Sequence, residues 1–394
     1  MKESFYKNLS SSEKYILFCC FFMFALNGLY AMVLGSLLPL ISAEYNLSNT
    51  LSGTLISSHQ AGNLVAGFAA GILPFYLGRK RSLIILCMFA IIGFAMMTMH
   101  GNPIWLLVAF LFTGLSRGTI SNFNNAVVND ISKQSNAALN FLHSTFAVGA
   151  LLGPFLVIFF VFIAGDFGWK LTALTISFLL AIGALSFARA NMDGVAEVTE
   201  RKKLSYSFLK RGRLWISIGI FFFYLCVEST VNGFIVTYFI EADILSLRNA
   251  QMLASLLWIV ILAGRLSVAF IGNRVPKKWI LLVTTIGTTL FYIFLLQVRT
   301  PVWIAIAIAG LGFSMAGIYP TIIANVGKTI RDYPQSLGVI LLLGGVGAIA
   351  MPMVTGALAD RFGIHFGMGA VIVAAAFMLF FVGLELYASR GEEK

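Results

Sequence analysis

Apolar residues run for about 20 positions or more at a time along this chain, and short polar stretches bearing glycine, proline or basic residues separate the runs. A helix in water needs a polar outer face, and here whole helical lengths lack one. A run of about 20 apolar residues is what a helix requires to cross roughly 30 Å of hydrocarbon. The pattern predicts twelve crossing spans, at 15–41, 50–73, 82–99, 103–128, 138–164, 168–189, 214–240, 249–272, 278–297, 301–326, 335–357 and 364–387. The expected class is an all-α integral membrane protein with twelve transmembrane helices.

The most polar interval, NMDGVAEVTERKKLSYSFLKRGR at 191–213, falls between the sixth and seventh spans. It divides the chain into an N-terminal six-helix half (1–190), a cytoplasmic basic linker (191–213) and a C-terminal six-helix half (214–394). Two joined halves are the layout of a transporter built from repeats, with its site near the midplane. GILPFYLGRKR after the second span and GRLSVAFIGNRVPKK at the end of the eighth occupy matching places in the two halves, which supports duplication. Gly67 and Gly71, Gly149 and Gly153, and LGGVGAIAMP in the eleventh span place small residues where helix backbones can approach closely.

Composition agrees with lipid as the solvent. Of the 394 residues 59% are hydrophobic and 11% charged, against roughly 45–50% apolar and 25% charged in soluble proteins. The net charge of +11 has a topological origin. With a cytoplasmic N-terminus, 21 of the 27 Lys and Arg fall on cytoplasmic segments, four (Lys170, Arg248, Arg299, Arg361) on external loops and two within helices. That asymmetry is the positive-inside pattern. It predicts both termini in the cytoplasm of a multi-pass inner or plasma membrane protein, with anionic lipid heads rather than nucleic acid as the partner of the basic residues. The polar opening MKESFYKNLSSSEK precedes a full-length apolar run without a small-residue cleavage site, so the first span is expected to be retained. The four cysteines lie in apolar runs without metal-ligand spacing. No HExxH, Walker A or Gly-x-Ser-x-Gly motif appears, so neither an enzyme nor a bound cofactor or metal is expected.

The segments just quoted resemble the major facilitator superfamily over the whole chain. Gly71, Gly78, Arg79 and Lys80 are similar to the superfamily's signature Gly-x-x-x-Asp-Arg-x-Gly-Arg-Lys loop, with Phe75 at its acidic position. LNFLHSTFAVGALLGP (139–154), YLCVESTVNGFIVTYF (224–239) and GALADRFGI (356–364) are similar to segments of the fucose/proton symporter, or sugar porter, branch. The resemblance implies the major facilitator fold, a central cavity lined by helices 1, 4, 7 and 10, and a gating role for Arg79 and Lys80. Fucose-type members carry acidic residues on helices 1 and 4, and the matching positions here are Gly35 and Ser121. Proton coupling, if used, then falls to other residues.

A charge in mid-membrane costs about 2.5–3.5 kcal/mol on insertion scales, so each one is a candidate for function. Arg117 heads a face of the fourth span that also carries Ser121 and Asn124 or Asn125, a set of donors suited to a polar solute. The alternative for Arg117 is a structural pair with an acid. In the seventh span Tyr224, Glu228 and Asn232 are spaced by four and share a face, with Glu228 as proton carrier or as a static acid paired with Arg117. His59, one turn before Asn63, is either a second proton carrier or a hydrogen-bonded packing histidine. Asn27 and Trp258 complete the candidate substrate contacts, with Ser314, Tyr319 and Asn325 behind them. Arg265 is placed for gating or for snorkelling, and Glu385 for snorkelling at the end of the twelfth span.

These readings converge on a secondary active transporter of a small polar solute, a sugar or sugar derivative, working as a monomer by proton symport. Two readings stay open beside it: an exporter of organic anions or amphiphilic drugs, and a membrane sensor that binds solute without moving it.

Overall fold

The computed structural model describes residues 9–133, 136–192, 207–271, 274–333 and 335–389; residues 193–206 of the basic linker lie outside the described residues, as do the surroundings of Gly71 and of the Phe75 side chain. The helices are α1 (Ser11–Tyr45), α2 (Asn49–Met97), α3 (Pro103–Ile131), α4 (Asn136–Ala164), α5 (Gly168–Arg189), α6 (Gly212–Glu241), α7 (Leu247–Ile271), α8 (Lys277–Gln297), α9 (Pro301–Met315), α10 (Ile318–Asn325), α11 (Gly327–Asp332), α12 (Gln335–Phe362), α13 (Ile364–Gly369) and α14 (Val371–Ser389), and the described residues hold no strand. The chain is an all-α integral membrane protein.

The twelve expected spans map onto these helices once three junctions are resolved. α2 holds the second and third spans as one helical stretch bent at Gly78, whose φ of 74° and ψ of 159° are not helical. Such a backbone is open to glycine and costly to a residue with a Cβ. The twelfth span is α13 followed directly by α14. The tenth, expected as one run over 301–326, is broken between α9 and α10. Pro320 accounts for the break: it has no N–H to donate to the Ala316 carbonyl four residues back, and its ring crowds that carbonyl.

Local chemistry sets other boundaries. α3 begins where Asn102 accepts hydrogen bonds from the backbone N–H of Ile104 (3.0 Å) and Trp105 (3.4 Å), with Pro103 in the first turn where its missing N–H is harmless. Pro39, Pro154 and Pro352 lie inside α1, α4 and α12, as membrane helices tolerate when neighbouring groups re-satisfy the freed carbonyls. Phe159, Phe162, Phe178, Phe270, Phe377 and Phe380 are exposed on the surface, where hydrocarbon is the matching solvent.

Close packing divides the chain into two compact units. Unit 1 is 1–41 with 58–201; unit 2 is 42–57 with 202–394. The packing therefore groups the end of α1 and the first turns of α2 with the C-terminal helices. In unit 1, a Cβ on Gly149 of α4 would run into the backbone of Ala25 on α1, so glycine is what lets these helices touch. Gly67 does not serve that purpose, since a Cβ there would meet only the Asn122 side chain at 3.9 Å. In unit 2, α6 packs along α12 and α14, with Phe223 stacked on Phe377 of α14 at 5.1 Å. At the start of α2 the carboxylate of Asp360 (α12) accepts hydrogen bonds from the N–H groups of Asn49 and Thr50, both at 2.7 Å. Those N–H groups have no partner within their own helix, so Asp360 caps it from α12.

Candidate functional site

Each unit buries its own polar cluster. In unit 1 the cluster is made by α2 and α3, whose backbones meet closely. A Cβ on Gly114 would strike the His59 carbonyl, and one on Gly62 would strike that of Leu111. This approach brings His59, 3% exposed, alongside the third helix. Its Nδ1 lies 2.9 Å from the Thr113 hydroxyl, and its Nε2 lies 3.4 Å from an Nη of Arg117. The Thr113 hydroxyl donates in turn to the Phe110 carbonyl at 2.7 Å. Tyr30 of α1 is fully buried and within electrostatic reach of Arg117, with the Ser116 hydroxyl as a neighbour. Neither hydroxyl has a hydrogen bond of good geometry.

The other expected residues of unit 1 divide between cavity and packing. Asn27 is buried on α1, with no hydrogen-bond partner for its Oδ1. Asn124 is fully buried and donates to the Cys20 carbonyl of α1 at 3.3 Å, which ties two helices together. Asn125 donates at 2.7 Å to the carbonyl of Ser121, one turn earlier on the same helix. Ser121 and Arg117 are half-buried. Beyond the Gly78 bend, Arg79 forms an ion pair with Asp130 at 2.6 Å, and Lys80 donates to the Ala190 carbonyl at 2.7 Å. These two contacts tie the start of the third span to the ends of α3 and α5.

In unit 2, the Tyr224 hydroxyl donates to Glu228 Oε1 at 3.0 Å. Both residues are on α6 one turn apart, and Asn232 follows a turn later, half-buried. Tyr319, 38% exposed, lies just past the α9–α10 break and stands edge-on to Phe221 at 5.1 Å. Glu228 and Arg265 both act electrostatically on Tyr224 and Tyr319. Arg265 gets there because Gly264 packs α7 against Phe313 and Ala316 at that break. Trp258 is buried two turns before it.

Some participants were not anticipated. Gln251 and Ser255 are buried on α7. Their spacing of four and then three to Trp258 makes a polar stripe that was legible in the sequence. Glu385 does not snorkel. It is 1% exposed and accepts from Arg213 at 2.7 Å and Asn325 at 3.0 Å, because Arg213 at the start of α6 supplies a charge partner closer than solvent. That contact also accounts for Asn325. Among the described residues no group of three or more His, Cys, Asp or Glu side chains could hold a metal ion.

Comparison with known proteins gives the wider setting. The family model described as Major Facilitator Superfamily matches residues 20–352. Protein TsgA of Shigella flexneri is 24% identical over 383 residues, covering 92% of this chain and 94% of its own. Bypass of stop codon protein 6 of Saccharomyces cerevisiae is 20% identical over 388 residues, covering 88% and 77%. Among solved structures, the nucleoside transporter NupG superposes with a TM-score of 0.75 at 15% identity, over 96% of this chain and 99% of that one. A bacterial homologue of the human lysosomal transporter Spinster, inward-facing and occupied, gives 0.78 at 16% identity, over 97% and 98%.

Proposed function

Because the chain belongs to the Major Facilitator Superfamily and is a transporter rather than an enzyme, we propose that it moves a sugar or sugar derivative across the cell membrane by proton symport. The observation that carries this reading is Tyr224 donating to Glu228, the one charged residue between Leu214 and Ile240 of α6. A tyrosine hydroxyl can donate to the charged carboxylate or accept from the neutral acid, so it offers the carboxyl a partner in either protonation state. Glu228 is the proton carrier in this scheme, the role left open by Gly35 and Ser121. The likeness of α4, α6 and the end of α12 to fucose-type segments supports the sugar assignment.

Solute contacts fall to Arg117, Ser121 and Asn27 in the N-terminal half, and to Tyr224, Asn232 and Trp258 in the C-terminal half. Guanidinium, hydroxyl and carboxamide groups together match the alternating donors and acceptors of a polyol. Transport in this reading follows the alternating access of repeat-built transporters. Arg79, Lys80 and Arg265 act at the gates, with both termini in the cytoplasm. One observation favours a second reading: the fixed charge of Arg117 suits an organic anion, which an exporter would carry.

The test is a proteoliposome screen of radiolabelled sugars with and without an inward proton gradient, repeated with Glu228→Gln. Gradient-driven uptake that is lost in the variant while counterflow persists supports the coupling role. Uptake unchanged by the substitution rules it out, and a screen in which only organic anions exchange selects the second reading.

A further inference from the structure

Arg117 can only donate, so the contact at His59 Nε2 requires that nitrogen to be an acceptor, without a proton. A neutral imidazole then carries its proton on Nδ1, which faces the Thr113 hydroxyl. That hydroxyl has one hydrogen, and its contact with the Phe110 carbonyl uses it. A lone pair is therefore free to accept from Nδ1. Along the contacts from Arg117 through His59 and Thr113 to the Phe110 carbonyl each donor then meets an acceptor, and one protonation state satisfies all three contacts.

We propose that His59 is a positioning residue for Arg117: a neutral imidazole, protonated on Nδ1, that sets the guanidinium's direction and carries no coupling proton. A second proton on Nε2 would point an N–H at a permanent cation and break the chain. At 3.4 Å the Arg117 contact is long for a hydrogen bond, so its contribution is orientation more than strength. The ring itself is fixed by the shorter bond to Thr113 and by the glycine contacts that press its backbone onto α3. The inference rests on reading Arg117 as the solute's grip, and it adds that α2 sets the geometry of that grip.

The decisive measurement is nitrogen NMR of the full-length protein in liposomes, labelled with 15N-histidine, at neutral pH. The chain has four histidines, and the His59 signals are those missing from His59→Gln. The expected spectrum shows one protonated and one bare ring nitrogen, with the proton on Nδ1 and the bare Nε2 signal moving in Arg117→Lys. A doubly protonated ring, or a proton on Nε2, overturns the proposal. Counterflow of the sugar identified in the screen gives the second readout. His59→Gln, which keeps an acceptor, should hold KM within about twofold, whereas His59→Leu should raise KM about tenfold with the maximal rate retained. Where Arg117→Lys raises KM, equal KM values in both His59 variants and the native protein also overturn it. If the NMR result holds and Arg117→Lys leaves KM unchanged, the relay stands and the assignment of Arg117 to the solute fails.

Discussion

Arg117 of unit 1 and Glu228 of unit 2 are held in different ways. In unit 1 the Arg117–His59–Thr113 chain crosses between α2 and α3 and ends on a backbone carbonyl. In unit 2 the Tyr224–Glu228 bond stays within one turn of α6. The first lies where glycines let two helix backbones meet closely, while the second spans a single turn of one helix. A fixed cation suits repeated recognition of one solute geometry. An acid on a short local tether suits a group that changes protonation in each cycle.

The comparison is most sharply exposed by Glu228→Gln, which should remove uphill accumulation entirely while leaving counterflow intact; loss of both would place Glu228 in solute binding and erase the contrast. Arg117→Lys comes next. Loss of charged hydrogen bonds worth about 1.5–3 kcal/mol should raise KM roughly 10- to 150-fold, with little change in the proton dependence of transport. A shift in that dependence would move coupling into unit 1.

The rigidity attributed to unit 1 is tested by Gly114→Val, which forces a side chain into the His59 backbone and should cost about 1–3 kcal/mol of stability. Thermal unfolding in detergent reads this against Gly383→Val on α14, where nothing lies within 4 Å and little change is expected. Tyr224→Phe should slow coupled uptake about fivefold, in line with one hydrogen bond of about 1 kcal/mol, and should leave the melting temperature unmoved. Smallest is Asp360→Asn, which removes a charge from the start of α2 and should lower stability by about 0.3–1 kcal/mol; a larger drop would mean that the cap secures more than the first turn of α2.

How much of this was legible in the sequence depended on whether the signal was local. The twelve spans could be read because a membrane demands uninterrupted apolar length. The α6 stripe could be read because i, i+4 spacing puts Tyr224 and Glu228 on one face. The break after Met315 was signalled by Pro320, but hydropathy alone outweighed it. The His59–Arg117 contact had no such signal: both residues stood out singly, yet which faces of α2 and α3 meet is set by Gly62 and Gly114, and periodicity does not encode pairing between helices. Glu385 was misread for the same reason, since Arg213 lies 172 positions away.

The cap on α2 has a consequence for how the protein is made. Asp360 and the N–H of Asn49 it receives are separated by 311 positions. At synthesis rates of about 5–20 residues per second, α2 emerges on the order of tens of seconds before its cap does. Until α12 arrives, the first turn of α2 must keep its free N–H groups in water or among lipid headgroups. The nascent helix therefore waits at the interface with an unfinished end until α12 has been made.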